Sequence, residues 1–161
     1  MGWGGAFGLA AGELARDSHL SSNIPRVLAF KLRGEAKLPD LPKTQVAKLD
    51  PPAEIGTADA WTAGKAVYHT YCSVCHGDAA VSGGVLPDLR LSIVNREPAA
   101  WESVVRGGER RSRGMVSFAA EVSEEDSEKV RAYVIHRAHE DQTLEAAAAA
   151  VSKPVSIVLS N

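Results

Sequence analysis

No segment of this chain approaches the ~18 to 20 consecutive apolar residues that a membrane-crossing helix requires, so an integral membrane protein is excluded. Nor is there an excess of either charge. Eighteen Lys and Arg against twenty Asp and Glu leave a formal net charge of −2, and hence no basic field to draw nucleic acid or an anionic membrane surface. At 161 residues, 45% hydrophobic and 24% charged, the chain is too short for a multi-domain enzyme and suits one globular domain with connecting material. No basic residue precedes Arg16, and glycine interrupts the apolar start MGWGGAFGLAAGELAR, so no export signal is expected there. Internal repeats are absent. Cysteine is the scarcest informative residue: there are two, Cys72 and Cys75, whereas a disulfide framework for a small fold needs four or more, spread along the chain.

Proline is concentrated rather than rare. Four of the eight prolines lie between Pro39 and Pro52, in a stretch without apolar periodicity, which predicts an extended linker over 39–56. Before it, GWGGAFGL and residues 26–32 (RVLAFKL) read as strand or turn, ending in an Arg33-Gly34 turn signal, too little to make a sheet alone. After it the pattern is helical. Thr57 or Asp59 caps a helix whose Trp61, Gly64, Tyr68 and Tyr71 recur at intervals of three and four and run into Cys72. Residues 77–97 carry Gly83-Gly84 and Pro87 without a period and read as a long loop. Pro98 opens a short helix through Val105, stopped by Gly107-Gly108. Ser123 with Glu124, Glu125 and Asp126 opens a last helix with an apolar stripe of Val130, Tyr133, Val134 and Ala138. The tail, residues 141–161, is alanine-rich and helix-compatible through Val151.

Cys72-Ser73-Val74-Cys75-His76 is the C-x-x-C-H pattern of covalent haem c attachment. Two thiols one helical turn apart add to the two vinyl groups, and the following imidazole is left to bind iron. The competing readings are a redox-active or zinc-binding C-x-x-C beside an incidental histidine. Zinc would want two further ligands at close spacing, and no thioredoxin-like strand precedes Cys72. Iron held by histidine has a sixth position. Apart from Met1 the only methionine is Met115, in an Arg-Gly-Met-Val-Ser-Phe loop between the last two helices. It is expected as the second iron ligand, against the alternative of filling a core gap. His69, one turn before Cys72, and His136 and His139 on the last helix are expected to be surface residues. A thioether ligand raises the potential and closes the iron to oxygen or peroxide, which suits a carrier of electrons.

On these residues, 57–140 resembles class I cytochromes c. The resemblance implies an all-α fold around one covalently bound haem, with Gly64, Tyr68 and Tyr133 where the first and last helices cross. It also implies that the Pro87 loop supplies a backbone carbonyl to the imidazole of His76, and makes Arg90 and Trp101 candidate partners of the haem propionates. More specifically, Met115-Val116-Ser117-Phe118, Glu121 to Asp126 and Arg131-Ala-Tyr-Val-Ile-His-Arg137 resemble the C-terminal cytochrome domain of quinohaemoprotein alcohol dehydrogenases. In that family an eight-bladed propeller binding pyrroloquinoline quinone (PQQ) and calcium leads through a proline-rich linker to the haem domain. Residues 1–38 would then be the remnant of its final strands. A propeller of that kind needs more than ~300 residues, so PQQ, calcium and the catalytic base are not expected on this chain.

The leading expectation is therefore a haem-c electron-transfer domain, taking single electrons from the reduced PQQ of a dehydrogenase propeller and passing them to an external redox protein or quinone. Three alternatives stand beside it: alcohol dehydrogenase activity only within a longer chain or complex, a sensor or peroxidase with a labile sixth ligand, and an assembly subunit whose haem is redox-silent. Arg106, Arg110, Arg111 and Arg113 crowd the approach to Met115 and are either a solvated face or a steering patch. Covalent haem attachment of this type implies the periplasm.

Overall fold

The computed structural model describes residues 9–17, 30–35, 37 and 47–151. Five α-helices carry it: α1 (Gly12–Asp17), α2 (Ala58–Tyr71), α3 (Ser73–His76), α4 (Pro98–Val105) and α5 (Glu124–Val151). Three short 3-10 turns, Asp78–Ala80, Leu89–Leu91 and Ile93–Arg96, punctuate the loop between α3 and α4, and a fourth, Arg111–Arg113, precedes Met115.

Helix α2 starts where Thr57, in extended conformation, accepts from the Ala60 N–H, with Asp59 in the first turn at the positive end of the dipole. Pro98 occupies the first turn of α4, where its missing N–H costs nothing. At α5 the Ser123 hydroxyl accepts from the Asp126 N–H at 3.1 Å, an N-cap bond, and donates to the Asp126 carboxylate at 2.9 Å.

Helices α2 and α5 cross at backbone contact. A Cβ added to Gly64 would lie 2.0 Å from the carbonyl oxygen of Lys129, so only glycine fits. One turn on, Tyr68 and Tyr133 pack with ring centroids 5.4 Å apart. Around them Ala80, Trp101, Val105, Val130 and Val134 complete the core. Trp101 locks α4 to α5 by donating its indole N–H to the Ser127 carbonyl at 3.0 Å and hydroxyl at 3.1 Å.

Three features of the described residues bear on the expected organisation. Among the described residues there is no β-strand. Residues 2–8 and 26–29 of the two expected strand segments lie outside the described residues, while Phe30 and Leu32 are 90% and 89% exposed in irregular and turn backbone. The Arg33-Gly34 turn is formed, with Gly34 N–H donating to Lys31 O at 2.9 Å. Within 1–38, Gly12–Asp17 is helical.

Second, the described part of the expected extended linker, residues 47–56, is docked on the helices. Leu49 is 2% exposed, and its carbonyl accepts from Gln142 at 2.9 Å. Pro52 O lies 2.7 Å from His139 Nε2, Ile55 O accepts from the Trp61 indole at 2.7 Å, and Asp50 pairs with Arg96. The backbone carbonyls of a proline-rich segment need donors when buried, and these side chains supply them. Third, α5 runs past the expected boundary at residue 140 to Val151, and Asp141 is buried against the domain.

Candidate functional site

Helix α2 ends at Tyr71, and Cys72 donates its N–H to Tyr68 O at 2.8 Å. The next turn begins at once: Cys75 and His76 both donate to Cys72 O, at 3.1 and 3.0 Å. The two thiols and the imidazole thus leave one tight turn. Gly77 closes it at φ 82°, where a Cβ would sit 1.9 Å from Val81 O. Tyr68, fully buried, donates its hydroxyl to Gly77 O at 2.6 Å, so the exit direction of the motif is tied to the α2–α5 core.

Nδ1 of His76 lies 3.2 Å from the carbonyl oxygen of Pro87. In the tautomer that donates there, Nε2 keeps its lone pair. Burial pushes the imidazole pKa below its ordinary value, against the opposing pull of the Pro87 hydrogen bond and the nearby Asp88 charge, a shift toward the neutral ring, the form that binds metal. Burial, with Cys75 adding to it, pushes the Cys72 thiol up to about 11. Redox-active thiols in C-x-x-C motifs are lowered instead. Among the described residues no three His, Cys, Asp or Glu side chains gather as a metal-holding group, which removes support from the zinc reading.

Met115 follows Gly114, which adopts the left-handed conformation at φ 93° with open space around it. The loop is anchored to the end of α4: Phe118 N–H donates to Val105 O at 3.0 Å, and the Ser117 hydroxyl donates to Arg106 O. Met115 and Cys72, 43 positions apart in sequence, pack against the same buried core cluster. The donor set is therefore two thiols, a neutral imidazole anchored through one nitrogen and a half-buried thioether, chemistry that fits haem c.

The remaining candidates fall elsewhere. Arg90 is buried, and its guanidinium is committed to Asp88 and Asp141, at 2.7 Å each. The Trp101 indole N–H is likewise taken by Ser127. The single indole N–H of Trp101 is thus occupied, while Arg90 has Nε and one N–H of each Nη engaged. His69 is exposed; His136 stacks on Trp61 at 3.7 Å and reaches Glu54, and His139 holds Pro52, so both helical histidines bind the docked segment. Arg106 pairs with Glu102 and Glu124, whereas Arg110, Arg111 and Arg113 have no carboxylate partner among the described residues. Sequence reasoning missed the Tyr68 hydroxyl, Ser117, and the pairing of Arg90 with Asp141. The one signal present was a tyrosine rather than a phenylalanine at 68.

Comparison with known proteins matches residues 59–134 to the family described as cytochrome c oxidase, cbb3-type, subunit III. The chain is 38% identical over 142 residues to the dehydrogenase subunit of the quinone alcohol dehydrogenase of Gluconobacter oxydans, covering 87% of this chain and 18% of that protein. It is 40% identical over 145 residues to quinohemoprotein alcohol dehydrogenase ADH-IIG of Pseudomonas putida, covering 86% and 19%. The solved structure of ADHIIG from Pseudomonas putida HK5 superposes with a TM-score of 0.64 at 36% identity, over 88% of this chain and 20% of that one. The chain spans about a fifth of the length of the relatives it matches.

Proposed function

The chain carries a cytochrome c domain, matched by a family model over residues 59–134 and homologous to quinohemoprotein alcohol dehydrogenases, and on that premise we propose that it is a one-haem electron relay in the periplasm. When bound, haem c supplies a one-electron iron couple. Cys72 and Cys75 would hold it by thioether bonds, His76 would bind its iron through Nε2, and Met115 would supply the second iron ligand. Pro87 O orients the imidazole and raises its basicity by accepting the Nδ1 proton. The observation that carries this reading is the 3.2 Å approach of His76 Nδ1 to Pro87 O within a C-x-x-C-H turn, since it leaves Nε2 free to ligate.

The anchoring of the Met115 loop through Ser117 and Phe118 favours a closed coordination sphere over a sensor or peroxidase. We take the electron donor to be a PQQ-containing dehydrogenase, by analogy with the relatives, and the acceptor to be an external redox protein or quinone. PQQ and calcium belong to the donor. Arg110, Arg111 and Arg113 lie close to Met115 in sequence, the last two exposed, and form the positive face that a negatively charged acceptor meets.

Expression with an export signal in a host competent for cytochrome c maturation tests the reading. The expected product carries haem that survives denaturing electrophoresis and shows the weak far-red band of methionine-bound ferric iron, lost in Met115→Ala. Covalent haem without that band would remove Met115 and restore the sensor or peroxidase reading. No covalent haem would overturn the proposal.

A further inference from the structure

The Pro87 carbonyl that meets His76 is held from both sides by groups outside the attachment motif. On one side, Leu86 O accepts from the Ser82 hydroxyl, which in turn accepts from the Gly84 N–H at 2.9 Å. On the other, the Asp88 carboxylate collects the Ser82 N–H at 3.3 Å and three donors of Arg90: the backbone N–H at 3.1 Å, Nε at 3.0 Å and Nη2 at 2.7 Å. The last arm of Arg90, Nη1, crosses to Asp141 Oδ2 on α5 at 2.7 Å. Arg137, one turn earlier on α5, braces Asp141 through Nη2 at 3.0 Å to both carboxylate oxygens and reaches back to Ala79 O at 3.2 Å. The side chains of Arg90, Asp141 and Asp88 are 5%, 11% and 14% exposed.

Burying such charges is a poor route to stability, because desolvation offsets their attraction and an apolar cluster of equal volume does as well or better. What a planar, bidentate guanidinium between two carboxylates supplies is direction. Here that direction runs from α5 to the residue adjoining the carbonyl that orients the axial histidine. We propose that Arg90 and Asp141 are positioning residues for His76: through Asp88 they hold the Pro87 carbonyl on Nδ1, and so set the strength of that hydrogen bond and the reduction potential of the iron. This rests on the assignment of His76 as a haem ligand. A strong hydrogen bond at Nδ1 makes the imidazole a better donor and stabilises ferric iron, so releasing the carbonyl raises the potential.

The test uses the full chain carrying haem, with Asp141→Ala, the milder Asp141→Asn, and Val104→Ala as a buried control on α4, outside the Asp88–Arg90–Asp141 hydrogen bonds. Two readouts are taken in each: the midpoint potential by spectroelectrochemistry, and solvent exchange of the His76 Nδ1 proton in the ferrous, diamagnetic state by NMR. The expected result is a higher potential and at least tenfold faster exchange in Asp141→Ala, with a smaller change of the same sign in Asp141→Asn and neither in Val104→Ala at a comparable loss of melting temperature. If Asp141→Ala fails to take up haem, Asp141→Asn is judged by the same two readouts. A lowered melting temperature with unchanged potential and exchange would reduce Arg90–Asp141 to a structural pair and overturn the proposal. A native chain whose spectrum lacks histidine-ligated haem would overturn the haem reading itself, a result visible before any variant is made.

Discussion

Gly64→Ala tests the crossing on which the haem site is built. The new methyl carbon would lie 2.0 Å from Lys129 O, 2.5 Å from Lys129 C and 3.1 Å from Tyr133 Cβ. Carbon atoms settle about 3.5–4.0 Å from one another, so α2 and α5 would have to part by roughly 1–2 Å. Both close atoms are backbone, so no rotamer change relieves the contact. Overpacking costs about 1–3 kcal/mol, and a clash with backbone alone falls in the upper part of that range, about 2–3 kcal/mol, against which alanine returns about 0.8–1 kcal/mol of helix propensity. The net loss of about 1–2 kcal/mol corresponds to a fall of roughly 4–16 °C in melting temperature for a domain of this size. Thermal unfolding of the haem-loaded chain, followed by far-ultraviolet circular dichroism, reads it directly. Thr62→Ala, on the exposed side of the same helix, is the control and should move stability by no more than about 0.5 kcal/mol. An unchanged or raised melting temperature in Gly64→Ala would refute the reasoning, because propensity would then have won and the two backbones could not be in contact.

Met115→Ala should abolish the far-red ferric band, lower the midpoint potential and let imidazole or cyanide bind at concentrations that leave the native chain unchanged, as optical titration would report. Tyr68→Phe removes the donor to Gly77 O at 2.6 Å; with that carbonyl left unpaired the loss should be about 1–3 kcal/mol in denaturant unfolding, and a change below a few tenths would show the bond to be dispensable. Replacing Arg110, Arg111 and Arg113 together by Glu should slow oxidation of the reduced chain by ferricyanide about tenfold or more at low ionic strength. That difference should shrink at ~0.15 M salt, where the Debye length is ~8 Å; equal rates at every salt concentration, measured by stopped flow, would mean that the arginines do not face the route of electron exit.

How much of this was legible in the sequence depended on how local each feature is. C-x-x-C-H is a five-residue pattern whose chemistry is written in its spacing, and its turn needs only the Cys72 carbonyl and a glycine at 77 to form. The Thr57, Pro98 and Ser123 helix starts are equally local. Gly64, Tyr68 and Tyr133 were recognisable through resemblance, and the structure adds the contact distance that explains them. Arg90 and Trp101 carried no such mark. A lone arginine with an aspartate two residues earlier reads as a solvated ion pair or an anion ligand; what buries it is Asp141, 51 positions away. The docked segment 47–56 looked like a free linker because its own residues have no periodicity, and its partners Arg96, His136, His139 and Gln142 lie far downstream.

By itself, then, the sequence determined the C-x-x-C-H turn, the helix starts and the order of the elements, because each depends on residues within a few positions of one another, and it singled out Met115 as the one methionine besides Met1. Only the tertiary structure decided which carbonyl meets His76, which carboxylates neutralise Arg90, and that Cys72 and Met115 share one core cluster. Those outcomes follow from where α5 lies against α2 and the Pro87 loop, and that placement is set by packing: a glycine that admits a backbone carbonyl at 64, and buried charges that are stable only where their partners arrive.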